Sequence, residues 1–429
     1  MKLHEEAFEI FRAIGNEARM ATAKANQANT LMRLGRLTEA KQMFEEALVK
    51  FREVGRKDAA SITLNNIAIV LRQLGDFEGS MARYEESLAI AREIGMKAQV
   101  ANALGNIANL LMPRGDLSRA RTLYEEALAI AREIGDTTTI ARNLGNLSIA
   151  LVRQGDVATA RKLCEEAVVL ARGIGEKREV AYALRHLGRA LHHQGHLAQS
   201  VTRYEEALTI AQAIQEQSLI ASTATGFGQV LLAQGNLVDA KKRYQEALAI
   251  HEASVKMGVA DSKLDLAKVA IAENRYAEGE TLARQTVATY RQSKEPESIA
   301  AVHVVLARAL AAQGRTRAAQ DALDVAAANA RTTQDQFVRA ELATTTARSK
   351  GVLNDAADIS TSIEVLKKTV AETTNMGLTE LQLDARLALG ELEKLRNRTA
   401  GLAAIAAVQK DASAMGFGLI ARNAAVALR

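Results

Sequence analysis

A forty-residue period governs this chain and limits what it can fold into. Gly35, Gly75, Gly115, Gly155, Gly195 and Gly235 keep that interval, and so do Phe44, Tyr84, Tyr124, Cys164, Tyr204 and Tyr244. Gly15, Gly55, Gly95, Gly135 and Gly175 form a third ladder. A fourth is Asn26, Asn66, Asn106 and Asn146, with His186 in the next place. Self-similarity at this length marks a unit that cannot bury its own apolar faces and must stack on its neighbours.

Residues 97–136 show what one unit contains. Val100, Leu104, Ile107, Ala108 and Leu111 recur at three- and four-residue steps, the stripe of an amphipathic helix. Gly115-Asp116 interrupts the stripe as a short turn does. Ala120, Leu123, Tyr124, Ala127, Leu128 and Ala131 then restore helical spacing. Gly135 suits a helix C-terminus, and Asp136 or Thr137 suits the next N-cap. Each unit therefore reads as a helical hairpin, with Ala108, Ala120 and Ala127 permitting close approach of its two helices. In a stack, the first helices line an inner concave wall and the second helices form the outer one.

The run Ala108, Gly115-Asp116, Leu117, Ala120, Tyr124, Ala127 and Leu128 resembles the tetratricopeptide repeat, lengthened here by a longer second helix, ALAIAREIG. The variant is similar to the repeats of kinesin light chains and of the LGN/Pins adaptors. Those also carry an Asn before a small residue in the first helix, as Asn65-Asn66-Ile67-Ala68 and Gly105-Asn106-Ile107-Ala108 do here. The resemblance is strong over roughly residues 1–250 and decayed beyond. It implies an all-α, right-handed superhelix (an α-solenoid) of about ten hairpins, and a scaffold rather than a chemistry.

Composition agrees with helices throughout: two prolines, no tryptophan, 3% aromatic and 48% hydrophobic residues. Cys164, the single cysteine, excludes an internal disulfide framework and stands at the packed aromatic position, so it reads as a buried small hydrophobe. No run of eighteen apolar residues and no signal-peptide pattern occurs, which sets a cytoplasmic location and no membrane partner as the expectation. The net charge is +5, but 55 basic residues are interleaved with 50 acidic ones. Pairs such as Glu45-Glu46, Glu85-Glu86 and Glu125-Glu126 recur on the second helices, so the surface reads as mixed in sign and no nucleic-acid partner is expected.

Along the chain, residues 1–15 read as a second helix without its first, which points to a C-terminal portion of a longer protein or an unusual start. Residues 16–255 hold six regular repeats, and Pro113 should end or kink its helix early. Gln215 replaces the expected glycine. Residues 256–336 carry two degenerate repeats, with turns at Asn274-Arg275 and Gly314-Arg315 and Pro296 opening a helix. Residues 337–415 read as two irregular hairpins: a helix to about Lys350, a loop through Gly351 and Asn354, a helix to about Asn375, then a pair turning near Asn397. Residues 416–429 are expected to form a capping helix. The ending KDASAMGFGLIARNAAVAL is similar to the C-termini of bacterial signalling proteins that join Ser/Thr kinase or winged-helix modules to such repeats.

No GxxxxGK[ST], Rossmann GxGxxG, GxSxG, HExxH or CxxC is present, so neither an enzyme nor a cofactor is expected. His186, His192, His193 and His196 cluster, but His192 and His196 straddle the Gly195 turn and read as solvated turn side chains rather than metal ligands. The asparagine ladder is more informative. Asn26, Asn66, Asn106, Asn146 and His186 recur on one face of successive first helices, where an amide offers a donor and an acceptor to a peptide main chain. The alternative is that these amides satisfy neighbouring helix carbonyls or fit the close packing between hairpins. Around the ladder stand Asn102, Asn109, Arg142, Tyr182, Arg185 and Arg189, then Gln229, Lys268 and Arg308, with Asp261 and Asp265 opposing.

The expected partner is thus a protein or peptide segment in the concave groove, an acidic one being compatible with its basic middle. The alternative is a sensor whose groove takes a small effector or short signalling peptide and changes the superhelix. Chaperone-binding tetratricopeptide domains grip a C-terminal carboxylate with a Lys/Asn/Asn/Lys/Arg set. The corresponding positions here hold Gly105, Asn109, Asn146, Tyr182 and His186, which lack every cation of that clamp.

Overall fold

The computed structural model describes residues 2–254, 258–292, 295–353 and 356–429. Within them the chain is helical, without a strand. A lone helix α1 (Lys2–Ala13) precedes hairpins α2–α3 (Glu17–Arg33, Leu37–Glu53), α4–α5 (Lys57–Gln73, Phe77–Glu93) and α6–α7 (Lys97–Leu111, Leu117–Glu133). Hairpins α8–α9 (Thr137–Gln154, Val157–Ile174), α10–α11 (Lys177–His193, Leu197–Ala213) and α12–α13 (Gln217–Ala233, Leu237–Ser254) complete the regular series. Less regular hairpins follow: α14–α15 (Val259–Ala272, Tyr276–Gln292), α16–α17 (Pro296–Ala312, Thr316–Asn329), α18–α19 (Gln336–Leu353, Ala356–Met376) and α20–α21 (Thr379–Arg396, Arg398–Met415). Helix α22 (Gly418–Ala427) closes the chain. No helix among the described residues is long and apolar enough to cross a membrane.

The two-residue turns explain the sharpness of each hairpin. Gly155 adopts φ 90°, and the Asp156 amide donates back to the Leu151 carbonyl at 2.8 Å, closing α8 with a left-handed cap. Asp156 then turns donor into acceptor: its carboxylate takes the Thr159 amide at 3.1 Å and opens α9. Gln215 and Asn274 hold the same left-handed conformation, with φ 56° and 62°; asparagine enters it readily, whereas at Gln215 the surrounding packing imposes the turn without glycine. Pro113 ends α6 at Leu111 and leaves a 3-10 turn over Met112–Arg114. At Gly351, where a loop is expected, α18 continues to Leu353, and the glycine lies so close to Leu392 that a Cβ would meet its Cδ2 at 2.3 Å. Asn354 lies outside the described residues.

Phe44, Tyr84, Tyr124, Cys164, Tyr204 and Tyr244 are all buried at 1% exposure or less, one per repeat. Glycines on the first helices admit the rings: a Cβ at Gly226 would meet Tyr204 at 2.6 Å, and one at Gly228 would meet Tyr244 at 2.7 Å. Burial pushes the Cys164 thiol up to about 12, so it packs as an apolar group. On the outer surface the glutamate pairs join repeats. Arg92 reaches Glu126, Arg132 reaches Glu166 and Arg172 reaches Glu206, at 2.8, 2.9 and 2.6 Å. Such exposed pairs add little stability each.

Successive first helices touch one another, whereas successive second helices do not approach comparably. The ribbon must therefore curve with the first helices inside. The curvature carries the chain round until the turn edge of the middle hairpins meets the opposite edge of the C-terminal ones. Gly115 abuts Glu297, Gly155 abuts Met376, Gly195 abuts Thr379, and Gly235 lies 3.1 Å (measured from an added Cβ) from the Gly418–Leu419 backbone. At the centre of this seam Arg153 donates to Asp335 at 2.6 Å, to the Met112 carbonyl at 2.7 Å, and to Glu297. Ser118 donates to Gln334 at 2.8 Å nearby. The histidines expected to be solvated belong partly to this seam. His192 is 4% exposed and within 3.0 Å of Glu380, and His193 packs edge-on against Phe337 at 4.6 Å; only His196 is exposed.

Candidate functional site

The inner wall presents one surface strip from each first helix. Asn66, Asn106 and Asn146 stand there half-buried on α4, α6 and α8, with Asn102 and Asn109 flanking Asn106. Asn26 on α2 is exposed, and His186 on α10 is buried. The ladder is partly knitted together. Asn106 donates its amide to Asn65 at 3.0 Å, and Asn66 donates to Asn29 at 3.4 Å, each reaching the preceding first helix. Asn109 accepts the Tyr124 hydroxyl at 2.7 Å, so it also anchors the core. A side-chain amide has two N–H donors and two acceptor lone pairs, so these bonds leave capacity facing the groove.

The basic middle divides into paired and unpaired cations. Arg142, which is exposed, donates to Glu179 at 3.1 Å. Arg178 pairs with Glu216 at 2.9 Å. Tyr182 lies between two guanidiniums, with Arg178 5.6 Å and Arg185 5.5 Å from its ring centre. Arg185 donates to His186 Nε2 at 3.1 Å, while its own Nε has no partner. His186 sits in the notch left by Gly145, and its Nδ1 is likewise unpartnered. Burial, reinforced by Arg189, pushes the Arg185 guanidinium down to about 10. Burial and the two arginines hold His186 well below the usual histidine range, so its ring is neutral.

Beyond α12 the groove is lined by balanced charge. Lys268 lies 3.1 Å from Asp265. Arg348 contacts Asp384 and Glu391, both at 2.8 Å, and Arg308 lies 3.6 Å from Asp384. Asp261 accepts the Tyr290 hydroxyl at 2.5 Å. Its side chain is exposed to the groove, yet protein surrounds it on the other sides, and the partial loss of hydration pushes its carboxyl up to about 6. Sequence reasoning missed Arg348, Asp384 and Glu391, since the irregular spacing after residue 337 hides which face they occupy. Among the described residues, no group of three His, Cys, Asp or Glu side chains is placed to hold a metal ion.

Two tetratricopeptide repeat profiles match the sequence, one over residues 19–93, 99–172, 139–213 and 179–253, the other over residues 300–324. No protein of curated function matches it. Among solved structures, the chain is similar to a Rap protein complexed with Competence and Sporulation Factor. The identity is 12% and the TM-score 0.57, over 89% of this chain and 98% of that one. It is also similar to yeast Tom70, at 15% identity and TM-score 0.44 over 95% of each chain. A Podosopora anserina putative kinesin light chain aligns at 22% identity and TM-score 0.37, over 45% of this chain and 95% of that one. The Rap likeness shows a shared fold along nearly the whole length.

Proposed function

The chain belongs to the tetratricopeptide repeat family, and we propose that it uses this protein-interaction scaffold to hold an extended or helical segment of a partner in its concave groove. The row of half-buried amides at Asn66, Asn106 and Asn146 carries the reading. Spaced one per hairpin and retaining unused donors and acceptors, they suit the repeating polar groups of a peptide main chain. Asn102, Asn109, Tyr182, Arg185, His186 and Arg189 adjoin them and set side-chain preference; Arg142 and Asn26 lie at the exposed margin. The setting we propose is a bacterial cytoplasmic signalling protein, on the strength of the ending that resembles such proteins and of the fold shared with a Rap protein bound to Competence and Sporulation Factor.

A random heptapeptide library selected on the purified chain tests this reading. Peptides recovered on wild type should lose about ten-fold to a thousand-fold in affinity for N66A/N106A/N146A, since each neutral hydrogen bond contributes roughly 0.5–1.5 kcal/mol. The melting temperature should move little. Peptides that bind both proteins alike, or that cross-link to the second helices, would refute groove binding.

The seam favours a second reading, a sensor. A coil closed by contacts between its own turns has a second, open arrangement available, and a small effector or short signalling peptide that fits one arrangement better would shift the balance. X-ray scattering with and without selected peptides separates the two: an unchanged radius of gyration at saturation rejects the sensor.

A further inference from the structure

We propose that the groove contains an oxyanion-binding site formed by Arg185 and Arg189 beside Tyr182 and His186, which anchors an acidic side chain or terminal carboxylate of the bound segment. The proposal rests on the groove-binding reading above and adds the chemistry of the ligand. It follows from a contrast within one surface. Arg142, Arg178, Lys268, Arg308 and Arg348 each have a carboxylate partner. Arg185 and Arg189, one helical turn apart on α10, have none within ion-pair distance among the described residues. They face each other's charge instead, in a place that protein surrounds.

The acceptors nearby are neutral: His186 Nε2 takes a bond from Arg185, and the Tyr204 hydroxyl takes one from Arg189. Because Arg185 donates to His186 Nε2, the ring proton sits on Nδ1, and that N–H is buried without an acceptor. Arg185 Nε is a second buried N–H without an acceptor. Two guanidiniums, one with a buried unpartnered Nε–H, and the unpartnered ring N–H of His186, with no anion among them, are complementary to a group of oxygen lone pairs bearing negative charge. Tyr182, stacked between Arg178 and Arg185, holds the Arg185 plane in place, so little order is lost on binding. None of these four residues supplies the cations of a chaperone-type clamp, whose positions hold neutral side chains here.

The test uses the full chain and three probes: an acetylated octaglutamate peptide, its octaglutamine counterpart, and inorganic phosphate. Octaglutamate should bind wild type with steep salt dependence, and R185Q/R189Q should weaken it on the order of ten- to a hundred-fold. R142Q, which removes a paired and exposed cation, should change it little. R185Q/R189Q should keep or raise the melting temperature, because two desolvated like charges are removed, and R189Q alone leaves the Tyr182 stack untouched should the double variant fold poorly. Equal octaglutamate affinity in wild type and R185Q/R189Q would overturn the site, as would an equal loss in R142Q, which would mean a diffuse field. Phosphate that competes fully with octaglutamate and loses affinity in R185Q/R189Q would support the site but overturn the peptide segment as its source. An N66A/N106A/N146A chain that binds octaglutamate normally would remove main-chain capture and leave the anion site standing.

Discussion

Replacing Arg153 by methionine should open the superhelix while leaving its hairpins folded. The Arg153 side chain is 22% exposed, and its guanidinium bonds to Glu297 and Asp335, whose side chains are 5% and 7% exposed, as well as to the Met112 carbonyl. Its removal strands two carboxylates at the seam. Breaking a fully buried pair costs about 3–5 kcal/mol. Arg153 keeps some hydration, so about 2–4 kcal/mol is expected. That corresponds to a shift of roughly thirty- to a thousand-fold toward the open arrangement. Hairpins inside each coil turn share no atoms with the triad beyond their edges, so far-ultraviolet circular dichroism should be unchanged and scattering should report a larger radius of gyration. Glu297 adds a pH signature. Burial raises its carboxyl above the usual value despite Arg153, so protonation favours the closed form and the open variant should reclose as pH falls. A neutral triple variant, R153M/E297Q/D335N, should restore closure. A scattering profile for R153M identical to wild type at neutral pH would refute the idea that this triad holds the seam.

Two further outcomes follow from the core and the groove. Tyr124→Phe should cost about 1 kcal/mol, because it removes the 2.7 Å bond to Asn109 and nothing else, whereas Tyr124→Ala should cost about 3–5 kcal/mol; hydrogen exchange localised to α6 and α7 reads both, and equal effects would mean the ring is not core. Asp261, whose carboxyl is pushed above its ordinary range to about 6 by loss of hydration within the groove, with Asp265 and Glu295 adding to the rise and Tyr290 and Lys268 opposing it, should contribute stability below about pH 4 that is lost as pH rises through about 6. Asp261→Asn keeps an acceptor for Tyr290 and should therefore melt higher than wild type above that window and no higher below it; a pH-independent difference would show that the carboxyl is not perturbed in the fold.

How far the sequence can be read depends on the range of the forces involved. The turns were legible because capping is local: a glycine that tolerates positive φ and an aspartate that accepts the third amide lie side by side, as at Gly155-Asp156. The aromatic ladder was legible because one repeat packs on the next at a fixed spacing. The expected loop at Gly351 failed for the opposite reason. A glycine between irregular stripes reads as a breaker, yet here it is a close contact with Leu392, a residue of another helix. Gln215 shows tertiary packing forcing a turn that local preference alone would assign to glycine or asparagine.

In the candidate site, the period placed Asn66, Asn106, Asn146 and His186 on one face, but burial and partners decided their state. The same register holds half-buried amides on three helices and a buried neutral imidazole on a fourth. Charge counting marked Arg142, Arg185 and Arg189 alike; only distances separate the first, paired with Glu179, from the other two.

The sequence by itself determined the unit: its hairpin, its turns, its core ladder and the need to stack. The tertiary structure decided how many units complete a coil turn, and so which edges meet. That quantity is a small rotation per repeat, set by side-chain packing at each interface and accumulated over several. No local pattern encodes the sum. Hence Arg153 finds Asp335 across 182 residues, and His192, beside a turn that reads as solvent-facing, lies buried against Glu380.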